Sequence, residues 1–173
     1  MSKPFGLVAT AAILAAGACA AARAADLSVV FVHPEDFRDA VFSHPYGDER
    51  QREPVLRGIE RHLQQLADRG LPPGDSLRIE VLDIDLAGWF EPFRFRTYAD
   101  NVRILREITW PRIKLRYTLT RGGEVTASAE EHVAALNYLM TVNPYSVSDR
   151  LRYEKAMLDD WFDRRFVRPA EHG

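Results

Sequence analysis

Residues 112–130, RIKLRYTLTRGGEVTASAE, decide the fold class of this chain. Apolar side chains recur at every second position on both sides of a Gly122-Gly123 pair: Ile113, Leu115, Tyr117 and Leu119 before it, Val125, Ala127 and Ala129 after it. A period of two is typical of strands with one buried face, and a glycine pair favours a tight turn. The sequence therefore predicts a β-hairpin whose second strand continues to about Leu139.

Two amphipathic helices are predicted on either side of the strands. The first has Pro54 in its first turn, where proline is tolerated, and ends at Gly70. The second follows Asn143-Pro144, and Ser146 or Ser148 is expected to cap it. Their apolar residues recur at helical spacing: Val55, Leu56, Ile59, Leu63 and Leu66 in the first, Leu151, Leu158 and Phe162 in the second.

The remaining strands are predicted from shorter patterns. Residues 27–32 form an apolar run, and residues 77–86 alternate but change phase near Val81, which predicts a β-bulge. Residues 100–108 fit a short strand or a helical turn, and the strand is favoured. Strands in consecutive runs with helices at two points indicate an α+β fold. We expect a mostly antiparallel sheet of four to five strands with two helices packed on one face.

The N-terminal residues have the layout of a secretory signal peptide. Lys3 precedes an uncharged, mostly apolar run at residues 5–22, and Ala22-Arg23-Ala24 provides small residues at a cleavage site. We expect residues 1–24 to be removed and residues 25–173 to form a single domain in the periplasm. The alternative is a membrane anchor, for which the run is marginally long and weakly hydrophobic.

Composition narrows the class of protein further. The 173 residues are 46% hydrophobic and 28% charged with a net charge of −2, so the chain is neither disordered nor basic enough to indicate nucleic-acid binding. The only cysteine, Cys19, lies in the predicted signal, so the mature domain would have no thiol. Small residues precede Cys19, and lipid attachment there is the alternative that would bring the protein to a membrane.

Four short motifs occur in an order that resembles the bacterial domain-of-unknown-function 3016 family, which consists of small exported proteins found chiefly in proteobacteria. The motifs are Val29-Val30-Phe31 with Pro34-Glu35-Asp36-Phe37, Leu82-Asp83-Ile84-Asp85-Leu86-Ala87-Gly88, Pro111-Arg112-Ile113, and Tyr153-Glu154-Lys155-x-Met157-Leu158-x-x-Trp161-Phe162. The resemblance covers nearly the whole predicted mature chain. It implies a single periplasmic domain, and it supplies no catalytic or binding residue.

Asp83 and Asp85 are the candidate carboxylate pair. Alternate residues of a strand point the same way, so two carboxylates could bind a hard cation or act as acid and base. The alternative is that both lie on the solvated face or cap a loop. His33 with Glu35 and Asp36, or His132 with Glu130, could ligate a transition metal, but neither spacing is characteristic of a metal site. His62 is expected to pack, partly exposed, in the first helix.

An aromatic segment between Trp89 and Trp110 is the candidate interaction surface. Aromatic residues and arginines dominate protein interfaces, and here they alternate: Trp89, Phe90, Phe93 and Phe95 with Arg94 and Arg96. The alternative is that these rings complete the core beneath a long loop. The hairpin's polar face mixes both charge signs and is expected to be solvated.

The sequence favours a non-enzymatic binding or accessory domain of the cell envelope. Its partner would be an envelope protein or a cell-wall component, with no cofactor and no nucleic acid. The first alternative is a small metal-dependent or carboxylate-dependent hydrolase that uses Asp83 and Asp85. The second is a purely structural role. No cysteine nucleophile, G-x-S-x-G motif or phosphate-binding loop supports catalysis in residues 25–173.

Overall fold

A four-stranded sheet organises the part of the chain that this computed structural model describes, residues 25–42, 49–90 and 103–168. Its strands are β1 (Asp26–Phe31), β2 (Ser76–Asp85), β5 (Arg112–Arg121) and β6 (Glu124–Ala134), in the order β1-β2-β5-β6. A second sheet pairs the two-residue strands β3 (Trp89–Phe90) and β4 (Arg103–Ile104). The helices are α1 (Glu49–Gly70) and α2 (Arg152–Phe162), and α2 continues as a π-helical turn, Asp163–Val167.

The sheet is mostly antiparallel, as predicted. β1 alone runs parallel to its neighbour β2, and α1 forms the crossover between them. β2 with β5 and β5 with β6 are antiparallel. The α+β prediction is therefore confirmed. None of the helices in the described ranges is long and apolar enough to cross a membrane.

The predicted hairpin is confirmed, but its second strand is shorter than expected. Gly122 and Gly123 have φ angles of 58° and 88°, which side chains with a Cβ rarely adopt. β6 ends at Ala134 because the backbone turns next: the N–H of Tyr138 bonds to the carbonyl of Ala135. The extension to Leu139 was wrong because apolar spacing alone does not distinguish a strand end from a turn.

The phase change in β2 is a β-bulge, as predicted. The register with β5 shifts between Val81 and Asp83, which leaves Leu82 as the extra residue. Beyond the bulge Ile84 lies opposite Ile113 on the buried face. Asp83 and Asp85 consequently lie on the other face, opposite Lys114 and Arg112.

Both helix starts differ from the predictions. α1 begins at Glu49, so Pro54 lies inside the helix rather than in its first turn. α2 begins at Arg152, after both predicted serine caps. The side chain of Asp149, rather than a serine, accepts a hydrogen bond in the turn before α2: its Oδ1 accepts the Leu151 N–H at 2.9 Å. Its carboxylate also accepts a hydrogen bond from Lys155 Nζ at 2.6 Å. The sequence did not indicate this ion pair.

One face of the sheet and both helices form the core. The largest fully buried side chains come from both layers: Val55, Ile59 and Leu63 from α1, Leu158 and Phe162 from α2, and Leu77, Ile79, Val81, Ile84, Ile113 and Leu115 from the sheet. The other face carries ion pairs that connect Glu80, Arg116, Glu130 and Lys114 across three strands.

Candidate functional site

A groove of about 560 Å³ lies between α2 and the chain that leaves β6. We call it the acidic groove. Its lining contains three aspartates and neither lysine nor arginine: Ala134, Ala135, Asn137, Tyr138, Thr141, Val142, Asn143, Pro144, Tyr153, Ala156, Met157, Asp159, Asp160 and Asp163. Apolar walls with a few polar groups at one end are the usual form of a binding site.

Hydrogen bonds fix the loop that forms the outer wall of the acidic groove. The buried Tyr138 donates its hydroxyl hydrogen to the carbonyl of Arg106 at 2.8 Å. Its ring meets Tyr153 of α2 edge to face, with 4.8 Å between centroids. Asn143 donates from Nδ2 to the carbonyl of Arg152 at 3.0 Å, and its Oδ1 accepts the Tyr145 N–H at 2.9 Å. The wall is therefore held in place before any partner arrives.

The same loop exposes large apolar side chains. Met140 is 81% exposed and Val142 is 91% exposed, and Leu136 is also exposed. An exposed apolar patch beside a groove is characteristic of a protein-interaction site. The sequence prediction missed this patch because it placed Leu136 in a strand that ends near Leu139 and assigned no role to Met140 and Val142. The run Leu139-Met140-Thr141-Val142 directly before Asn143-Pro144 was a visible signal.

A buried hydrogen-bonded cluster supports the acidic end of the groove. His62 is buried rather than partly exposed, and its Nε2 lies 2.9 Å from Asp159 Oδ1. Tyr145 donates its hydroxyl hydrogen to Asp159 Oδ2 at 2.5 Å. Burial raises the pKa of Asp159, but the hydrogen bonds from His62 and Tyr145 outweigh this effect and leave the pKa lowered. Burial and the adjacent carboxylate raise the pKa of Tyr145. Asp159 therefore carries its charge at neutral pH.

Arg103, which lies within the predicted aromatic segment, forms a second buried polar cluster at the end of β2. Its guanidinium binds both carboxylate oxygens of Asp39, at 3.1 and 2.6 Å. It also donates to four backbone carbonyls: those of Val41, Leu86, Ala87 and Gly88. Burial raises the pKa of Asp39, and Arg103 opposes that rise. Arg103 therefore joins β4 to the end of β2 and has no spare donor for a ligand.

Glu154 is the second buried ionisable group that the sequence prediction missed. This α2 residue is 1% exposed, and its Oε1 accepts the Ala87 N–H at 2.8 Å. Its Oε2 is buried without a hydrogen-bond partner among the described residues. Burial raises the pKa of Glu154, and the bond from Ala87 opposes the rise. The residue stood in a quoted motif, but nothing in the motif marked it as buried.

The structure places Asp83 and Asp85 on one face and gives each an arginine partner. Arg112 Nε lies 2.8 Å from Asp85 Oδ2, and Arg38 Nη1 lies 3.4 Å from the same atom. Asp83 Oδ1 accepts the backbone N–H of Arg38 at 2.8 Å. The carboxylates are thus compensated by basic groups of the chain itself, which leaves little negative charge for a cation.

We expect calcium to leave the melting temperature unchanged to within about 1 °C, because binding Ca²⁺ would require breaking the Arg112–Asp85 pair. Differential scanning fluorimetry of the wild type with calcium and with chelator measures this. A larger calcium-dependent rise that disappears in Asp83→Ala/Asp85→Ala would restore the metal hypothesis.

The residues of both histidine hypotheses lie within the described ranges. One ligand atom each of His33, Glu35 and Asp36 lies within 4.8 Å of the others, and all three residues are exposed. Glu130 pairs with Lys114 and Arg116, while His132 lies exposed on the same strand.

In the aromatic segment, the side chain of Trp89 is 53% exposed. Phe90 is 4% exposed beneath the Arg103 guanidinium, 4.7 Å from its ring centroid, so it does not present its ring to a partner. The other members of the candidate surface, Phe93, Arg94, Phe95 and Arg96, lie outside the described residues.

Comparison with known proteins gives one match. The model of a protein family described as "Protein of unknown function (DUF3016)" matches residues 25–164. No curated protein and no solved structure matches the chain. The resemblance noted from the four motifs is therefore confirmed.

Proposed function

Because this chain belongs to the DUF3016 family, whose description assigns no activity, we propose its function from its geometry: it is an exported, non-enzymatic binding domain of the cell envelope. The acidic groove is the proposed binding site. The proposed partner is an extended segment of an envelope protein that carries apolar side chains and a basic residue.

The single observation that carries this proposal is the combination of an exposed apolar wall with an acidic end. Val142 and Met140 offer apolar surface to a partner, while the side chains of Asp160 and Asp163 are 64% and 38% exposed. Both aspartates pair with arginines of the chain, Arg164 and Arg168. These pairs are solvent-exposed and contribute little stability, so a partner's cation can replace them, unlike the Arg112 pair with Asp85, whose side chain is only 9% exposed. Asp159 adds a charge that the buried hydrogen bonds of His62 and Tyr145 keep ionised. An apolar segment with a lysine or arginine at one end complements both features.

The groove is also connected to the aromatic segment that the sequence singled out. Tyr138 bonds to the carbonyl of Arg106, and its hydroxyl lies 3.4 Å from Thr109 Oγ1. Ile108 in this turn and Trp89 in β3 are both exposed. A partner seated in the groove therefore has further apolar surface within the same end of the domain.

We expect a photoreactive amino acid at Val142 to crosslink one dominant envelope protein in living cells, because this side chain stands free at the mouth of the groove. A synthetic peptide with the crosslinked sequence should then bind the purified protein in fluorescence anisotropy. Ala156→Arg, which places a large cation in the groove, should weaken this binding at least about tenfold. Val125→Arg adds the same charge on an exposed residue of the hairpin and should leave binding unchanged.

Equal binding of the peptide to the wild type and to Ala156→Arg would contradict the proposal. Crosslinking to peptidoglycan rather than to protein would favour the cell-wall alternative instead. Enzymatic turnover of an envelope substrate that requires Asp85 would favour the hydrolase alternative.

Export is the second part of the proposal, and it is supported by Lys3, the apolar run at residues 5–22 and the Ala22-Arg23-Ala24 site. We expect the intact mass of the protein from the periplasmic fraction to correspond to residues 25–173. A mass that includes Cys19 with attached acyl chains would instead establish lipidation.

A further inference from the structure

The two outer edges of the four-stranded sheet differ in how they are protected. β6 carries Glu124, Glu130 and Glu131, and Trp161 and Arg165 contact the Glu131 carboxylate. β1 reads DLSVVF, with one charge at its first residue and neither lysine nor proline. Within the described ranges, no strand pairs with the outer side of β1. Natural edge strands usually carry charges or prolines that prevent pairing with other chains, and β1 has only Asp26 at its end.

The backbone of β1 offers an orderly row of hydrogen-bonding groups on this outer side. The N–H groups of Asp26 and Val32 bond to β2 through the carbonyls of Asp75 and Val81. Because successive residues of a strand face opposite sides, the N–H and C=O groups of Leu27, Val29 and Phe31 point away from the sheet. These six groups are spaced as an antiparallel strand requires.

We propose that β1 pairs with β1 of a second copy of this chain, in an antiparallel arrangement whose two-fold axis passes beside Val29. In this register Val29 lies opposite Val29, and Leu27 of each copy lies opposite Phe31 of the other. The two four-stranded sheets then form one continuous sheet. The two-fold symmetry makes the contact closed, so it ends at a dimer.

The side chains of the two copies complement each other in this register. Leu27, Val29 and Phe31 pack against the core, so their faces would continue the apolar layer from one copy to the next. On the opposite face Ser28 meets Val30. Arg78 lies beside Ser28 and Glu80 lies beside Val30 in β2. A line of neighbouring side chains across four strands of the dimer therefore reads Arg78 and Ser28 of one copy, then Val30 and Glu80 of the other. The two ends of this row carry opposite charges.

Six main-chain hydrogen bonds and two short strands make a small interface, so we expect a dissociation constant of about 10–100 µM. Sedimentation equilibrium of the purified protein should show a dimer at high concentration that dissociates on dilution. A monomer at every concentration up to about 500 µM would overturn the proposal, and so would edge pairing only with a segment of another protein.

Val30→Lys is the discriminating variant. The new lysine lies beside Glu80 of its own copy in both the monomer and the dimer, which favours the fold. In the dimer it also faces Ser28 of the other copy, and Arg78 of that copy follows in the same row, so a second positive charge is added there. We expect the dissociation constant to rise at least about tenfold. Ser128→Lys is the matched control, because it adds the same charge on the same face at the far edge of the sheet. Equal weakening by both variants would overturn the proposed interface.

Val29→Pro provides an independent test. The Val29 N–H points outward, so proline there removes no bond of the β1–β2 ladder but removes the central bonds of the dimer. We expect a monomer whose melting temperature is close to that of the wild type. A folded Val29→Pro that still forms the dimer would overturn the proposal, and if this variant unfolds, Val30→Lys decides.

Discussion

Arg103→Ala is expected to lower the free energy of unfolding by about 3–5 kcal/mol, the range typical of breaking a buried ion pair. The substitution leaves the Asp39 carboxylate buried without its cation. It also removes the donors of four backbone carbonyls between Val41 and Gly88. Unfolding in urea, followed by circular dichroism, measures the loss.

A second pair of variants separates the ion pair from the backbone bonds. Asp39→Asn keeps the arginine and its bonds to the carbonyls, so it should cost less than Arg103→Ala. Arg164→Ala, which removes an exposed i,i+4 partner of Asp160, should change stability by less than about 0.5 kcal/mol. A loss of similar size for Arg103→Ala and Arg164→Ala would show that the Arg103 cluster is not the joint that we describe.

Glu154→Gln is expected to stabilise the protein at pH 8 relative to the wild type, by about 1–3 kcal/mol. Burial raises the pKa of Glu154 in the folded state, so the folded state holds a proton that the unfolded state releases once the pH exceeds about 4.5. The free energy of unfolding of the wild type therefore falls as the pH rises from the pKa of Glu154 in the unfolded state to its higher pKa in the folded state. Glutamine cannot ionise and still accepts the Ala87 N–H, so this loss disappears.

The comparison is made as a difference between the two proteins at each pH, because other groups also titrate. Arg103 lowers the pKa of Glu154 and Asp149 raises it, and both are present in the variant. The gain from Glu154→Gln should be small at pH 4 and should grow towards pH 8. The exposed Glu53→Gln serves as the control on α1. A gain that stays constant with pH would contradict the proposed cause.

The parts of the fold that follow from local patterns could be predicted from the sequence. The hairpin and the bulge in β2 produce the period-two pattern and its phase change, and both depend on neighbours in the chain. The helix starts were less predictable, because Asp149 and Ser146 offer competing caps and the bonds that decide between them are made in the folded turn.

The polar clusters could not be predicted, because they depend on contacts between distant residues. Arg103 and Asp39 are far apart in the chain, and no local pattern connects them. Glu154 stands among the apolar residues of α2, and nothing in the local pattern marks its carboxylate as buried. The apolar patch beside the acidic groove was missed because Met140 and Val142 are apolar but exposed, and composition does not reveal exposure.

The parallel pairing of β1 with β2 has a consequence for the order of folding. The strands of the hairpin meet across two glycines, whereas Asp26 must find Ser76 on the far side of α1. Closing this long loop costs chain entropy that the hairpin does not incur. We expect β1 to join the sheet last in refolding and to be the first strand whose amides exchange with solvent.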